Sequence, residues 1–99
     1  MKRVRLSSSA SAYLRREAAY LRRHAPASAD AFLIRMQSAR DRLSEFPESG
    51  PPSDGNESAG FRQLVVGDYV FAYRIVGDEV RILFIRHGRQ DRRPPERTA

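Results

Sequence analysis

The sequence predicts an α+β fold in which a helical hairpin packs on a small, mainly antiparallel sheet. Two observations favour this class. Apolar residues recur every three or four positions between residues 9 and 46, which is typical of amphipathic helices. From residue 61 to residue 85 they instead alternate or run continuously between turn signals, as strands do. With one short alternating segment at the N-terminus, the expected order is β-α-α-β-β-β.

The first three elements follow from periodicity and from proline. Val4 and Leu6 alternate with arginines, which predicts a strand within residues 2–7. The serines at 7–9 offer caps for a first helix that extends to residue 24. Pro26 is predicted to end that helix, and Ser28 to cap a second one whose apolar stripe is the strongest periodic signal in the chain. The stripe consists of Phe32, Met36, Ala39, Leu43 and Phe46.

Three strands are predicted after a Gly- and Pro-rich loop at residues 47–60. They cover residues 61–66, 69–76 and 80–85, and Gly67-Asp68 and Gly77-Asp78 supply the hairpin turns. The last strand is almost entirely apolar, which is typical of a central strand. We expect one domain over residues 1–91, followed by a basic, flexible tail at residues 92–99.

Composition excludes several classes of function. The chain has 99 residues and a formal net charge of +6, which favours acidic partners. It has no cysteine and two histidines, which excludes thiol catalysis and Cys-ligated metals and predicts no metal site and no cofactor. No apolar run has the length of a membrane span or of a secretion signal, so we expect a cytoplasmic protein that does not bind membranes.

Three segments together resemble the RelE/ParE family of bacterial type II toxin–antitoxin toxins, over nearly the whole chain. They are residues 43–50 (LSEFPESG), residues 60–74 (GFRQLVVGDYVFAYR) and residues 80–91 (VRILFIRHGRQD). In this family, RelE-like members cut messenger RNA on the ribosome, and ParE-like members inhibit DNA gyrase. The resemblance implies a toxin held in a hetero-oligomer by a cognate antitoxin, which we expect to be acidic and partly disordered.

The sequence is closer to the ParE branch. RelE-like ribonucleases commonly carry a basic residue after the first tyrosine of the 67–73 region, where this chain has Val70, and a tyrosine near the C-terminus, where it has Pro94 and Pro95. The ending His-Gly-Arg-Gln-Asp is similar to ParE-like members. Gyrase inhibition by binding is therefore the first hypothesis. A ribosome-dependent messenger-RNA endonuclease is the alternative, and a non-toxic, antitoxin-binding relative is the third.

Candidate site residues differ between the first two hypotheses. For target binding we predict Arg86, His87 and Arg89, which lie closest to the end of the predicted sheet. For RNA cleavage the candidates are His87, Arg62 and Arg89, because that reaction needs proton transfer and positive charge around a phosphate. The structural interpretation is a strand-end histidine for His87 and an intramolecular contact for Arg62. The sequence assigns no antitoxin-binding residue.

Overall fold

Two helices cover one face of a four-stranded sheet, as predicted. The computed structural model describes residues 1–52 and 60–88. The elements are β1 (Arg3–Leu6), α1 (Ser8–His24), α2 (Pro26–Glu45), β2 (Arg62–Val66), β3 (Tyr69–Val76) and β4 (Glu79–His87). The strand order is β1-β4-β3-β2. β1 runs parallel to β4 and the other pairs are antiparallel, so β4 is a central strand and the mainly antiparallel sheet is confirmed.

A single residue, Ala25, connects the two helices. The Ser7 side chain caps α1 by accepting a hydrogen bond from the Ala10 backbone N–H at 3.0 Å. The predicted Ser28 cap of α2 is wrong: the helix begins at Pro26, and its N-cap, Ala25, makes no side-chain cap hydrogen bond. Proline fits the first position of a helix because the N–H that it lacks would have no intrahelical partner there. Neither helix in the described part is long and apolar enough to span a membrane.

The core lies between the sheet and the stripe of α2. Phe32, Met36, Ala39 and Leu43 are all buried, and Leu14 and Leu21 of α1 pack partly buried against the same cluster. Facing them are inward side chains of the two central strands, including Phe71, Tyr73, Val80 and Ile82. The apolar stripes predicted from the sequence therefore form the interface between the two layers, except at Phe46. The prediction is wrong for Phe46, which is 63% exposed because α2 ends at Glu45 and Phe46 is its C-cap.

A β-bulge at Leu83 changes which residues of β4 face the helices. Tyr73 pairs with Ile82, whereas Ala72 pairs with Phe84, so Leu83 is the extra residue. Its carbonyl accepts a hydrogen bond from the Ser7 hydroxyl at 2.5 Å. Beyond the bulge the alternation is reversed: Ile85 is buried, whereas Phe84 is 41% exposed. The same reversal places His87, two residues after Ile85, on the helix side of the sheet.

Replacement of Leu43 by alanine should destabilise the fold strongly. Leu43 has no exposed surface and is among the largest fully buried side chains. Truncation of such a side chain leaves a cavity, and we expect the free energy of unfolding to fall by about 2–5 kcal/mol. Urea denaturation monitored by circular dichroism measures this loss. Leu33→Ala on the same helix, where the side chain is 42% exposed, is the control and should cost much less. A near-neutral Leu43→Ala would contradict the packing of α2.

Candidate functional site

Tyr69 lies at the centre of a group of side chains from both helices and both central strands. Its ring is 5.1 Å from Phe32, 5.2 Å from His87 and 6.4 Å from Tyr13 between ring centroids, and each neighbour is steeply inclined to it. The Tyr69 hydroxyl donates a hydrogen bond to Glu17 Oε2 at 2.5 Å. We call these five residues the Tyr69 cluster. It fixes the end of β4 against the helical hairpin.

An open pocket of about 840 Å³ lies over this cluster. Members of the Tyr69 cluster form part of its wall, and α1, α2 and the β2–β3 turn supply the rest. The further lining residues are Tyr20, Leu21, Ser28, Ala31, Arg35 and Asp68. We call this depression the hairpin pocket. Its wall combines aromatic rings with carboxylates, which suits recognition of a polar or charged group rather than a purely apolar one.

Both phenols of the Tyr69 cluster are stabilised in the protonated form. Burial raises the pKa of Tyr69, and the hydrogen bond to the Glu17 carboxylate raises it further. Burial and the charge of Glu17 raise the pKa of Tyr13 to about 12, against a small opposing effect of Arg16. At neutral pH both side chains are therefore hydrogen-bond donors and do not act as general bases.

A second group of residues holds the loop that follows α2 against the far end of the sheet. The buried Tyr73 hydroxyl donates to the Pro47 carbonyl at 2.7 Å and accepts from the Gly50 backbone N–H at 2.9 Å. Arg62 Nη1 donates to the Gly50 carbonyl at 2.8 Å, and the Gln63 N–H donates to the Pro51 carbonyl at 3.0 Å. These contacts form the loop clamp.

The other face of the sheet combines apolar side chains with arginines. Pairing places Val70, Ala72 and Phe84 on its two central strands and Val65 beside Val70 on the edge strand β2, where Val65 is 70% exposed. Arginines surround them, namely Arg3, Arg5, Arg74, Arg81 and Arg86. Glu79 lies among them and accepts hydrogen bonds from Arg81 Nε at 2.9 Å and Arg5 Nη1 at 3.3 Å. We call this surface the outer face.

The family model that matches the chain is described as "ParE toxin of type II toxin-antitoxin system, parDE", and the match covers residues 4–92. The chain belongs to this ParE toxin family. It is 35% identical over 91 residues to "Putative toxin Y4kP" of Sinorhizobium fredii (strain NBRC 101917 / NGR234), and the alignment covers 90% of this chain and 91% of that protein. The predicted resemblance to the ParE branch is confirmed.

A solved ParE-like structure shows the same fold. A chain of the structure titled "Chromosomal ParDE TA system from P. aeruginosa" superimposes with a TM-score of 0.70 at 21% sequence identity. The match covers 88% of this chain and 96% of that one. At this level of identity the comparison concerns the arrangement of helices and strands.

The predicted site residues of this ParE-family chain lie in different places. His87 is in the hairpin pocket, whereas Arg86 pairs with Val70 on the outer face. Arg62 pairs with Tyr73, and His87 pairs with Tyr69, four positions earlier on β3. Four residues of a strand span roughly 13 Å, so Arg62 and His87 are not adjacent. Arg89, and the tail predicted at residues 92–99, lie outside the described residues.

Glu17 and Asp68 line the pocket, although neither is among the site residues predicted from the sequence. Glu17 lies beside Arg15 and Arg16, in a helix whose charged positions suggest a solvated face. A signal was nevertheless present, because Tyr13, Glu17 and Tyr20 are spaced by four and three residues and so share one side of α1. No group of three His, Asp or Glu side chains suited to a metal occurs within residues 1–52 and 60–88.

Ionisation of Tyr13 should destabilise the ParE fold in alkali. Its folded pKa of about 12 exceeds the ordinary value of 10.0, so the stabilising contribution is complete below pH 10 and is lost as the pH rises towards 12. We expect the free energy of unfolding to fall across this window, and to fall less steeply in Tyr13→Phe. Urea denaturation at a series of alkaline pH values measures both slopes. Tyr20→Phe is the control: it removes the hydroxyl of a residue that is 56% exposed, and its slope should match that of the wild type. Equal slopes for wild type and Tyr13→Phe would refute the prediction.

Proposed function

We propose that this ParE-family chain is the toxin of a toxin–antitoxin pair and that it inhibits DNA gyrase by binding. The observation that supports binding over RNA cleavage is the separation of His87 from Arg62. Cleavage through a 2′-hydroxyl needs a base, an acid and positive charge around one phosphate. Here Arg62 belongs to the loop clamp and His87 to the Tyr69 cluster, and the β3 residues with which they pair, Tyr73 and Tyr69, are four positions apart.

The state of the tyrosines supports the same proposal. Tyr69 lies beside His87, and Tyr13 lies beside Tyr69. Burial raises the pKa of both phenols, so neither supplies a phenolate at neutral pH. The Tyr69 hydroxyl also donates a hydrogen bond to the Glu17 carboxylate. The cluster around His87 is thus a packed, hydrogen-bonded structure, which suits a fixed recognition surface.

For the antitoxin we propose an acidic segment that folds on the outer face. A partner could bury the apolar side chains of that face. Its five arginines and one glutamate give the face a positive charge, so a segment with an apolar side and flanking carboxylates is complementary to it. Ordering on contact would let a disordered segment use this whole surface.

A matched pair of variants tests this antitoxin surface. Val65→Asp places a carboxylate on the outer face, where the side chain is 70% exposed, and should weaken antitoxin binding. Ile34→Asp makes the same change at a 68% exposed position on α2 and should leave binding unchanged. Isothermal titration with the cognate antitoxin compares them. Equal affinities for the two variants would remove the outer face as the binding surface.

The target is tested by two assays on the purified chain. We expect loss of gyrase supercoiling activity, together with intact reporter message in a cell-free translation extract. Cleaved message with normal supercoiling would instead favour the endonuclease hypothesis, and His87→Ala would then be the first variant to examine. If neither activity is affected and expression without antitoxin is harmless, the chain is a non-toxic relative.

A further inference from the structure

The hairpin pocket differs in charge from the protein around it. The chain carries a net charge of +6, yet two carboxylates, Glu17 and Asp68, line this one depression. Arg35 also lines it, but its guanidinium lies against the β2–β3 turn: a Cβ built on Gly67 would be 2.6 Å from Arg35 Nη1. Two carboxylates and one guanidinium therefore leave a small excess of negative charge in the pocket lining of a positively charged chain.

The carboxylates have hydrogen-bonding capacity left over. Glu17 uses Oε2 to accept from Tyr69. No hydrogen bond or ion pair joins Glu17 Oε1 or the exposed Asp68 carboxylate to another described residue, and neither carboxylate is among the buried unpaired groups. Carboxylate oxygens accept hydrogen bonds, so they favour a ligand that carries hydrogen-bond donors. They repel an anion such as a nucleic-acid phosphate, for which Arg35 is the one arginine or lysine among the residues that line the pocket.

The aromatic wall favours the same class of ligand. Tyr13, Tyr20 and Tyr69 all line the pocket, and Tyr20 is 56% exposed. The faces of aromatic rings attract cations. Nearby carboxylates attract the same cations through their negative charge. A guanidinium or ammonium group on an apolar stem would satisfy the rings and the carboxylates together.

We propose that the hairpin pocket binds an arginine or lysine side chain presented by the target protein. His87, predicted to bind the target, is part of the pocket wall, which makes the pocket continuous with the predicted target surface. The assignment to the target rests on the proposed binding function. The chemistry of the pocket can be measured without gyrase or antitoxin.

The first experiment uses N-acetyl-arginine amide as the probe and N-acetyl-glutamine amide as its uncharged counterpart. In amide-resolved NMR titrations of the full chain, we expect saturable shifts at residues 13, 17, 20, 68 and 69 with the arginine probe alone. Glu17→Gln and Asp68→Asn should each weaken binding about tenfold, because a charge-assisted hydrogen bond is lost. Asp30→Asn, outside the pocket, should not. Equal shifts with both probes, or no effect of the two pocket variants, would overturn the proposal.

The second experiment identifies the source of the basic side chain. Glu17→Gln keeps an acceptor for the Tyr69 hydroxyl, so the fold should persist, and a thermal melt checks this. We expect the double variant with Asp68→Asn to lose gyrase inhibition and to keep its affinity for the antitoxin. Loss of antitoxin binding with full inhibition would overturn the assignment to the target. If the wild-type chain does not inhibit gyrase, the gyrase proposal fails, while the probe titration still decides the pocket.

Discussion

A chain that ends at Gly88 is expected to lose gyrase inhibition and to keep its affinity for the antitoxin. β4 ends at His87, and the Gly88 N–H donates to the Asp68 carbonyl at 2.7 Å, so every described contact of the core remains in the truncated chain. The truncation removes a segment rich in arginine, namely Arg89, Arg92, Arg93 and Arg97. The proposed outer-face site for the antitoxin lies entirely within the retained part.

A supercoiling assay and an antitoxin titration, carried out on the same preparation, measure the two effects. Thermal unfolding should give the same midpoint for the truncated and full-length chains. A full-length variant with glutamine at the four arginine positions separates the loss of charge from the loss of length, and we expect it to behave like the truncation. If the chain ending at Gly88 inhibits gyrase fully, the predicted role of Arg89 and the basic segment is wrong.

Periodicity explains why so much of the fold could be predicted from the sequence. The stripe from Phe32 to Leu43 is buried as a unit, and the Gly-Asp turns join β2 to β3 and β3 to β4. Helical periodicity and turn dipeptides involve only residues that are close together in the chain, so they can be recognised in one sequence. The order of elements follows from them directly.

The details that the sequence did not predict depend on contacts between distant elements. The bulge at Leu83 is stabilised by Ser7, 76 positions away in the chain, and no local pattern marks it. That bulge decides which face His87 occupies, so the hairpin pocket could not be assembled from the sequence. Proline at position 26 predicts the end of α1, but its second role, as the first residue of α2, depends on the geometry of the hairpin.

The loop clamp shows why part of the family motif is structural. Gly50, Arg62 and Tyr73 belong to the segments that carried the resemblance, and the structure joins all three through hydrogen bonds around the Gly50 peptide. A Cβ on Gly50 would lie 2.4 Å from the Gln63 carbonyl oxygen and 2.8 Å from its carbon. Only glycine allows the loop to approach the backbone of β2 so closely.

Gly50→Ala is therefore expected to destabilise the protein by roughly 3 kcal/mol or more, through overpacking against the backbone and loss of buried hydrogen bonds. The clash involves the main chain of β2, which cannot rotate away as a side chain does. The loop must instead separate from the strand, and the Tyr73 hydroxyl then loses its partners at Gly50 and Pro47.

Gly77→Ala is the matched control for this substitution. Gly77 has φ +59°, and no described atom lies within 4 Å of a Cβ built on it. Its replacement costs backbone strain alone, about 1–2 kcal/mol. Urea denaturation of both variants should place Gly50→Ala well below Gly77→Ala in stability. The opposite ranking would mean that the loop is not held against β2 in solution, and that the motif residues around Gly50 are free to serve another role.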